Sequence, residues 1–144
     1  MKEVEILLVE DNPEDVELTL DALRGENISN KIEVVEDGEQ ALEFLYSEGK
    51  YSHRKMEYKP KLILLDLKLP KVSGIEVLKK IKSDSKLKKI PVVVLTSSSE
   101  EGDIVKTYEL GVNSYIVKPV NSETFRKAIK ELGLYWLLLN KYAE

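Results

Sequence analysis

Leu62-Ile63-Leu64-Leu65-Asp66, followed by Leu67-Lys68-Leu69-Pro70, is the stretch whose reading decides the fold. Four consecutive aliphatic residues with no polar alternation predict a short strand buried on both faces. The run closes on a carboxylate, and Pro70 stops the strand from continuing. Asp66 is therefore the first residue to emerge at the C-terminal edge of a buried strand. In open α/β sheets that edge is where ligands and chemistry sit.

The pattern repeats on both sides of this stretch. Val4 to Val9 predicts a first buried strand, ending in Glu10-Asp11. Asn12 and Pro13 then suit the N-cap and first position of a helix, with Val16, Leu20 and Leu23 on one face and Gly25 as its stop. Ile32 to Val35 predicts a second strand, and Asp37-Gly38 opens a helix carrying Ala41, Leu42 and Leu45. Residues 47–59 show neither period and predict a surface loop, long for a βα connection. The loop contains the sole histidine, His53, which gets no role.

Beyond Pro70, a loop to Gly74 leads into a helix marked by Ile75, Leu78 and Ile81. Val92 to Leu95 is another aliphatic strand, ending in Thr96-Ser97-Ser98-Ser99. Residues 100–110 predict a helix with Ile104, Val105 and Tyr108 inward, and Gly111 as its cap. Ser114 to Val117 is a fifth strand, ending in Lys118-Pro119. Asn121 or Ser122 caps a final helix with Phe125, Ile129, Leu132, Trp136 and Leu139 at steps of four and three. Five short strands alternating with five helices imply βαβ units: one parallel five-stranded sheet with helices on both faces.

Composition bounds the rest. With 144 residues, the chain fits one domain, expected to span 1–144 with an apolar helical extension over 132–144. The absence of Cys excludes disulfides, thiolate metal sites and cysteine nucleophiles. A net charge of −4 gives no nucleic-acid footprint. The start is too polar for a signal peptide, and no apolar run approaches the roughly 20 residues that cross a bilayer. A cytoplasmic protein without membrane or nucleic-acid contacts is expected. No room is left for a DNA-binding effector domain, so output is expected through a protein contact.

Parallel strands deliver their ends to one side. Strand one brings Glu10 and Asp11, strand three Asp66, strand four Thr96 and strand five Lys118. Singly, each has a plain explanation. Acids before a helix complement its dipole, a Thr suits a strand, and a lone Lys is usually solvated. Together, three carboxylates repel one another unless a cation is present. Hard oxygen ligands without Cys or His suit Mg²⁺. A hydroxyl and an ammonium beside them complete a cradle for a phosphoryl group.

With these residues in place, the chain resembles the response-regulator receiver domains of CheY-like, flavodoxin-like (βα)5 fold, strand order 2-1-3-4-5. The resemblance rests on Glu10-Asp11, on Asp66-Leu-Lys-Leu-Pro70 with Gly74, on Thr96-Ser97 and on Lys118-Pro119. It implies that Asp66 accepts a phosphoryl group from a phosphohistidine of a histidine kinase or phosphotransfer protein. It implies Mg²⁺ held by Asp11 and Asp66, by Glu10 through water, and by the backbone carbonyl of Lys68. Lys118 would pair with a phosphate oxygen, and Thr96 and Tyr115 would act as switch residues. The Lys118-Pro119 peptide would be cis. The face of the fourth helix, fifth strand and fifth helix would change its partners on phosphorylation.

Glu10 stands where Asp is commoner in the family, Leu69 where Met is frequent and Ser97 where Ala is frequent. Glu10-Asp11-Asn12-Pro13 with Asp15, the long loop, Leu95-Thr96-Ser97-Ser98 and the Trp-containing tail resemble one subgroup, the stand-alone regulators of phytochrome-type histidine kinases. The surplus apolar residues of the tail suggest a homodimer contact. Lys68 stands where an Asp-nucleophile hydrolase of the dehalogenase type needs its second Asp. Glu10-Asp11 would repel the phosphate of a flavin. A docking module that is never phosphorylated is the remaining alternative, disfavoured by intact Asp11, Asp66, Thr96 and Lys118.

Overall fold

The structure is a computed structural model, and it describes residues 4–28, 30–97, 106–112 and 114–133. Strands β1 (Ile6–Val9), β2 (Ile32–Val35), β3 (Leu62–Asp66), β4 (Val92–Thr96) and β5 (Ser114–Val117) form one sheet. All pairings are parallel, in the order β2-β1-β3-β4-β5. Every residue of β1, β3 and β4 is buried, which is why these strands are unbroken aliphatic runs.

Helices α1 (Pro13–Gly25), α2 (Gly38–Tyr46), α3 (Gly74–Ser83) and α5 (Ser122–Leu132) join the strands. The fourth helix, α4, is described over 106–109. One core layer packs Phe44, Val77 and Leu78 on one face of the sheet; the other packs Leu23, Phe125 and Ile129. Among the described residues, no helix is long and apolar enough to cross a membrane.

The helix starts follow the capping rules. Asn12 accepts from the Glu14 and Asp15 amides, with Pro13 at the first helical position. Asp37, Ser73 and Asn121 cap α2, α3 and α5 in turn, the last in a capping box with Thr124. Gly111 takes φ +84° where α4 ends, and the Val112 amide reaches back to the Thr107 carbonyl.

Four expectations change. α1 does not stop because of Gly25, which is its last helical residue; Asn27, at φ 60°, makes the left-handed turn. Gly25 is needed for a close approach instead, because a Cβ there would collide with Ser122 Oγ of α5. Tyr108 is not inward: it is 50% exposed and packs edge-to-face on Tyr115 at 5.7 Å between ring centroids. α5 ends at Leu132, where Gly133 adopts φ 65° and donates its N–H to the Lys130 carbonyl. Trp136 and Leu139 lie beyond that cap, and they fall outside the described residues, as do Ile104, Val105 and the 134–144 tail.

The fourth change concerns 47–59, which is no plain surface loop. A 3-10 turn at Gly49–Tyr51 buries Tyr51 against Phe44, edge-to-face at 5.1 Å. The Arg54 guanidinium lies 3.6 Å from the Phe44 ring centre and donates to the carbonyls of Phe44 and Tyr58. Lys59 donates to the Leu45 carbonyl. The Phe44 and Leu45 carbonyls belong to the last turn of α2, which has no basic residue of its own. The loop supplies the cations that the helix end favours.

Candidate functional site: an acid cluster with one lysine

The C-terminal ends of β1, β3, β4 and β5 meet as the topology requires. Glu10 and Asp66 are buried at 1% and 4% exposure, while Asp11 is exposed. Single carboxylate oxygens of Glu10, Asp11 and Asp66 all lie within 4.8 Å of one another. The strand ends are tied by backbone bonds: the Leu67 amide donates to the Leu95 carbonyl, and the Lys118 amide to the Thr96 carbonyl at 2.8 Å. Gly74 lets α3 start against this edge, since a Cβ there would collide with the Asp66 carbonyl. Thr96 is buried at the end of β4, one strand from Asp66.

Lys118 follows β5, joined to Pro119 by a cis peptide. Its ammonium lies 2.6 Å from Glu10 Oε1, 3.0 Å from Asp15 Oδ2 and 3.3 Å from Asp66 Oδ2. Burial alone would lower the Lys118 pKa, but the surrounding carboxylates raise it well above the usual lysine range. Burial pushes Glu10 the other way, up from 4.5 to about 7, with the Asp66 charge adding to it. One ammonium does not neutralise four acids.

Asp15 is the residue the sequence reading did not place here. It sits in the first turn of α1, 103 residues from Lys118, and it is the carboxylate to which the ammonium donates in good hydrogen-bond geometry. Glu10 Oε1 is nearer still, in an ion pair with the same ammonium. A signal did exist: the Asn12-Pro13 cap fixes where α1 begins, and thus puts Asp15 on its first turn beside the Glu10-Asp11 edge.

A divalent cation fits these residues. The donors are hard carboxylate oxygens within 4.8 Å of one another, and the cluster carries more negative charge than the Lys118 ammonium balances. The Lys68 amide donates weakly to Asp66 Oδ1 at 3.4 Å, which folds the 66–68 segment back over the carboxylate. Tyr115, paired with Leu95's neighbour Val94 across the sheet, is half-buried beside Tyr108.

Fold and site define a class: a CheY-like (βα)5 domain with a cation-seeking acid cluster at the carboxyl ends of its strands. The chain belongs to the response regulator receiver domain family, whose model matches residues 6–130. It is 42% identical over 132 residues to the response regulator Rcp1 of Synechocystis sp., covering 92% of this chain and 88% of that protein. It is also 42% identical over 137 residues to the probable methanogenesis regulatory protein FilR2 of Methanothrix harundinacea, covering 94% and 85%.

Among solved structures, the bacteriophytochrome response regulator RtBRR is similar at 55% identity and TM-score 0.87, over 98% of this chain and 84% of that one. Two others hold a metal ion or a phosphoryl group. One is a Mn(2+)-bound form of Rcp1, at 41% identity, TM-score 0.77 and 94% and 95% coverage. The other is the phosphorylated cyanobacterial phytochrome response regulator RcpA, at 43%, 0.77, and 94% and 95%.

Proposed function

We propose that residues 1–144 act as a stand-alone receiver that takes a phosphoryl group onto Asp66 from a phosphohistidine. The observation that carries this reading is the Asp66 carboxylate itself, buried at the strand edge with Lys118 Nζ at 3.3 Å and two more carboxylates within cation-binding reach. An Asp66 oxygen attacks phosphorus, the phosphorus–nitrogen bond breaks, and the departing imidazole nitrogen takes up a proton. The product is an acyl phosphate.

Asp11 and Asp66 would hold Mg²⁺ directly, Glu10 through water and Lys68 through its carbonyl. When bound, the ion would neutralise charge on the transferring phosphoryl group. Lys118 pairs with a phosphoryl oxygen, and Thr96 turns its hydroxyl to another. Tyr115 responds by moving inward, which changes the exposed α4–β5–α5 face where Tyr108 and Val117 are 50% and 39% exposed. The domain signals rather than turning over a substrate.

The partner is a cytoplasmic histidine kinase or phosphotransfer protein. The names of Rcp1-like and bacteriophytochrome relatives make a phytochrome-type kinase the first to test. The apolar tail supports a homodimer, which light scattering with and without a phosphoryl analogue would check.

Incubation with Mg²⁺ and acetyl phosphate is expected to add one phosphoryl mass at Asp66. Asp66→Asn, or chelation of the metal, is expected to abolish it. Label retained in Asp66→Asn sinks the reading.

A further inference from the structure

Lys118 has three N–H donors and three carboxylates around it. A phosphoryl oxygen on Asp66 that draws closer to this ammonium than the 3.3 Å of the present Asp66 contact competes with the two shorter contacts, those of Glu10 and Asp15. Glu10 and Asp66 have side chains 0% and 6% exposed, so neither has an easy exit to water. Asp15 is 27% exposed, sits on a helix rather than a buried strand, and accepts a hydrogen bond from the ammonium at 3.0 Å. Its carboxylate can rotate outward and be hydrated, with the α1 N-terminus still favouring its charge.

We infer that Asp15 is a positioning residue that occupies Lys118 as a placeholder for the phosphoryl oxygen and is displaced when Asp66 is phosphorylated. This rests on the phosphoacceptor reading above and adds a regulator to the same site. Asp15 sets how much of the Lys118 interaction is already committed before the phosphoryl group arrives. Converting the Asp66 carboxylate to an acyl phosphate adds about one further negative charge. The exchange of one carboxylate for a more highly charged phosphoryl oxygen is then favourable, but it is discounted by the Asp15 bond that is lost. Removing the Asp15 charge removes that discount.

The test is an equilibrium one on the full chain. Beryllium trifluoride with Mg²⁺, which places a tetrahedral phosphoryl stand-in on Asp66, is titrated by calorimetry. Asp15→Asn is expected to bind it on the order of threefold to tenfold tighter than the parent chain, and Asp15→Glu is expected to return towards the parent value. In a Lys118→Ala background the gain from Asp15→Asn should vanish, because the competition acts through the ammonium.

Unchanged or weaker binding in Asp15→Asn overturns the inference. So does a gain of equal size without Lys118, which would mean plain charge repulsion. A parent chain that neither binds the analogue nor accepts label at Asp66 would instead refute the phosphoacceptor reading. Circular dichroism of Asp15→Asn, and a second variant Asp15→Ser, separate loss of the carboxylate from loss of fold.

Discussion

The two ends of the sheet use charge in opposite ways. At the carboxyl end, Glu10, Asp15 and Asp66 surround Lys118 and Asp11 lies beside Glu10 and Asp66, so like charges face one another across a single ammonium. At the amino end, a cavity of about 570 Å³ is lined by Lys31, Lys50, His53, Arg54 and Lys55, with Glu33 opposite. There the cations are dispersed. Lys50 lies over Tyr51, Arg54 over Phe44 and Lys55 over Tyr58, while Tyr51 donates to Glu33. The basic end is arranged for stability, with Lys50, Arg54 and Lys55 each over a ring and Arg54 also bonded to two carbonyls. The acid end is arranged for a ligand, and the free protein bears the cost in stability.

If that contrast holds, saturating Mg²⁺ should produce the largest change. At a hundredfold excess over its Kd it should stabilise the chain by about 2.7 kcal/mol, read as a rise in thermal midpoint. Next, Arg54→Ala at the other end should cost about 2 kcal/mol in urea unfolding, since it removes charge-assisted bonds to two carbonyls and a stacked guanidinium. Without metal, Asp11→Asn should act in the opposite direction and stabilise by about 0.5 kcal/mol, because it thins the like charges. The same variant should lose most of the Mg²⁺ effect. A destabilised, metal-free Asp11→Asn would break the comparison.

An effect confined to alkaline pH concerns Tyr51, whose pKa is pushed up to about 12 by burial and by the Glu33 charge. The neutral phenol is thus favoured by folding. Its contribution is complete below the ordinary value of 10.0 and is lost as pH rises towards 12. Tyr51→Phe should flatten the decline of stability across that window, measured by denaturation at successive alkaline pH values.

Much of this was legible in the chain. β3 and β4 were legible because burial on both faces leaves an aliphatic run, while β2 and β5, only partly buried, fall on their expected residues as short apolar stretches between helices. The strand-end residues Glu10, Asp11, Asp66, Thr96 and Lys118 were legible for the same reason, since a parallel sheet sends them to one edge. Asp15 was not, because its role depends on a partner 103 residues away whose side chain curls over the α1 N-terminus. α1 does end at Gly25, but the close approach of Ser122 that calls for glycine there could not be read from the local pattern. Tyr108 was misread because an exposed aromatic and a core aromatic occupy the same helical spacing.

The loop cations at the end of α2 bear on the order in which the chain folds. The Phe44 and Leu45 carbonyls wait for donors ten and fourteen residues downstream. On a growing chain, the last turn of α2 is made before the side chains that hold it. That turn gains its full stability only after residue 59 is free of the ribosome, just as the β3 run that begins at Leu62 follows. The end of α2 is therefore a structure completed from downstream, by the loop and not by the helix's own residues.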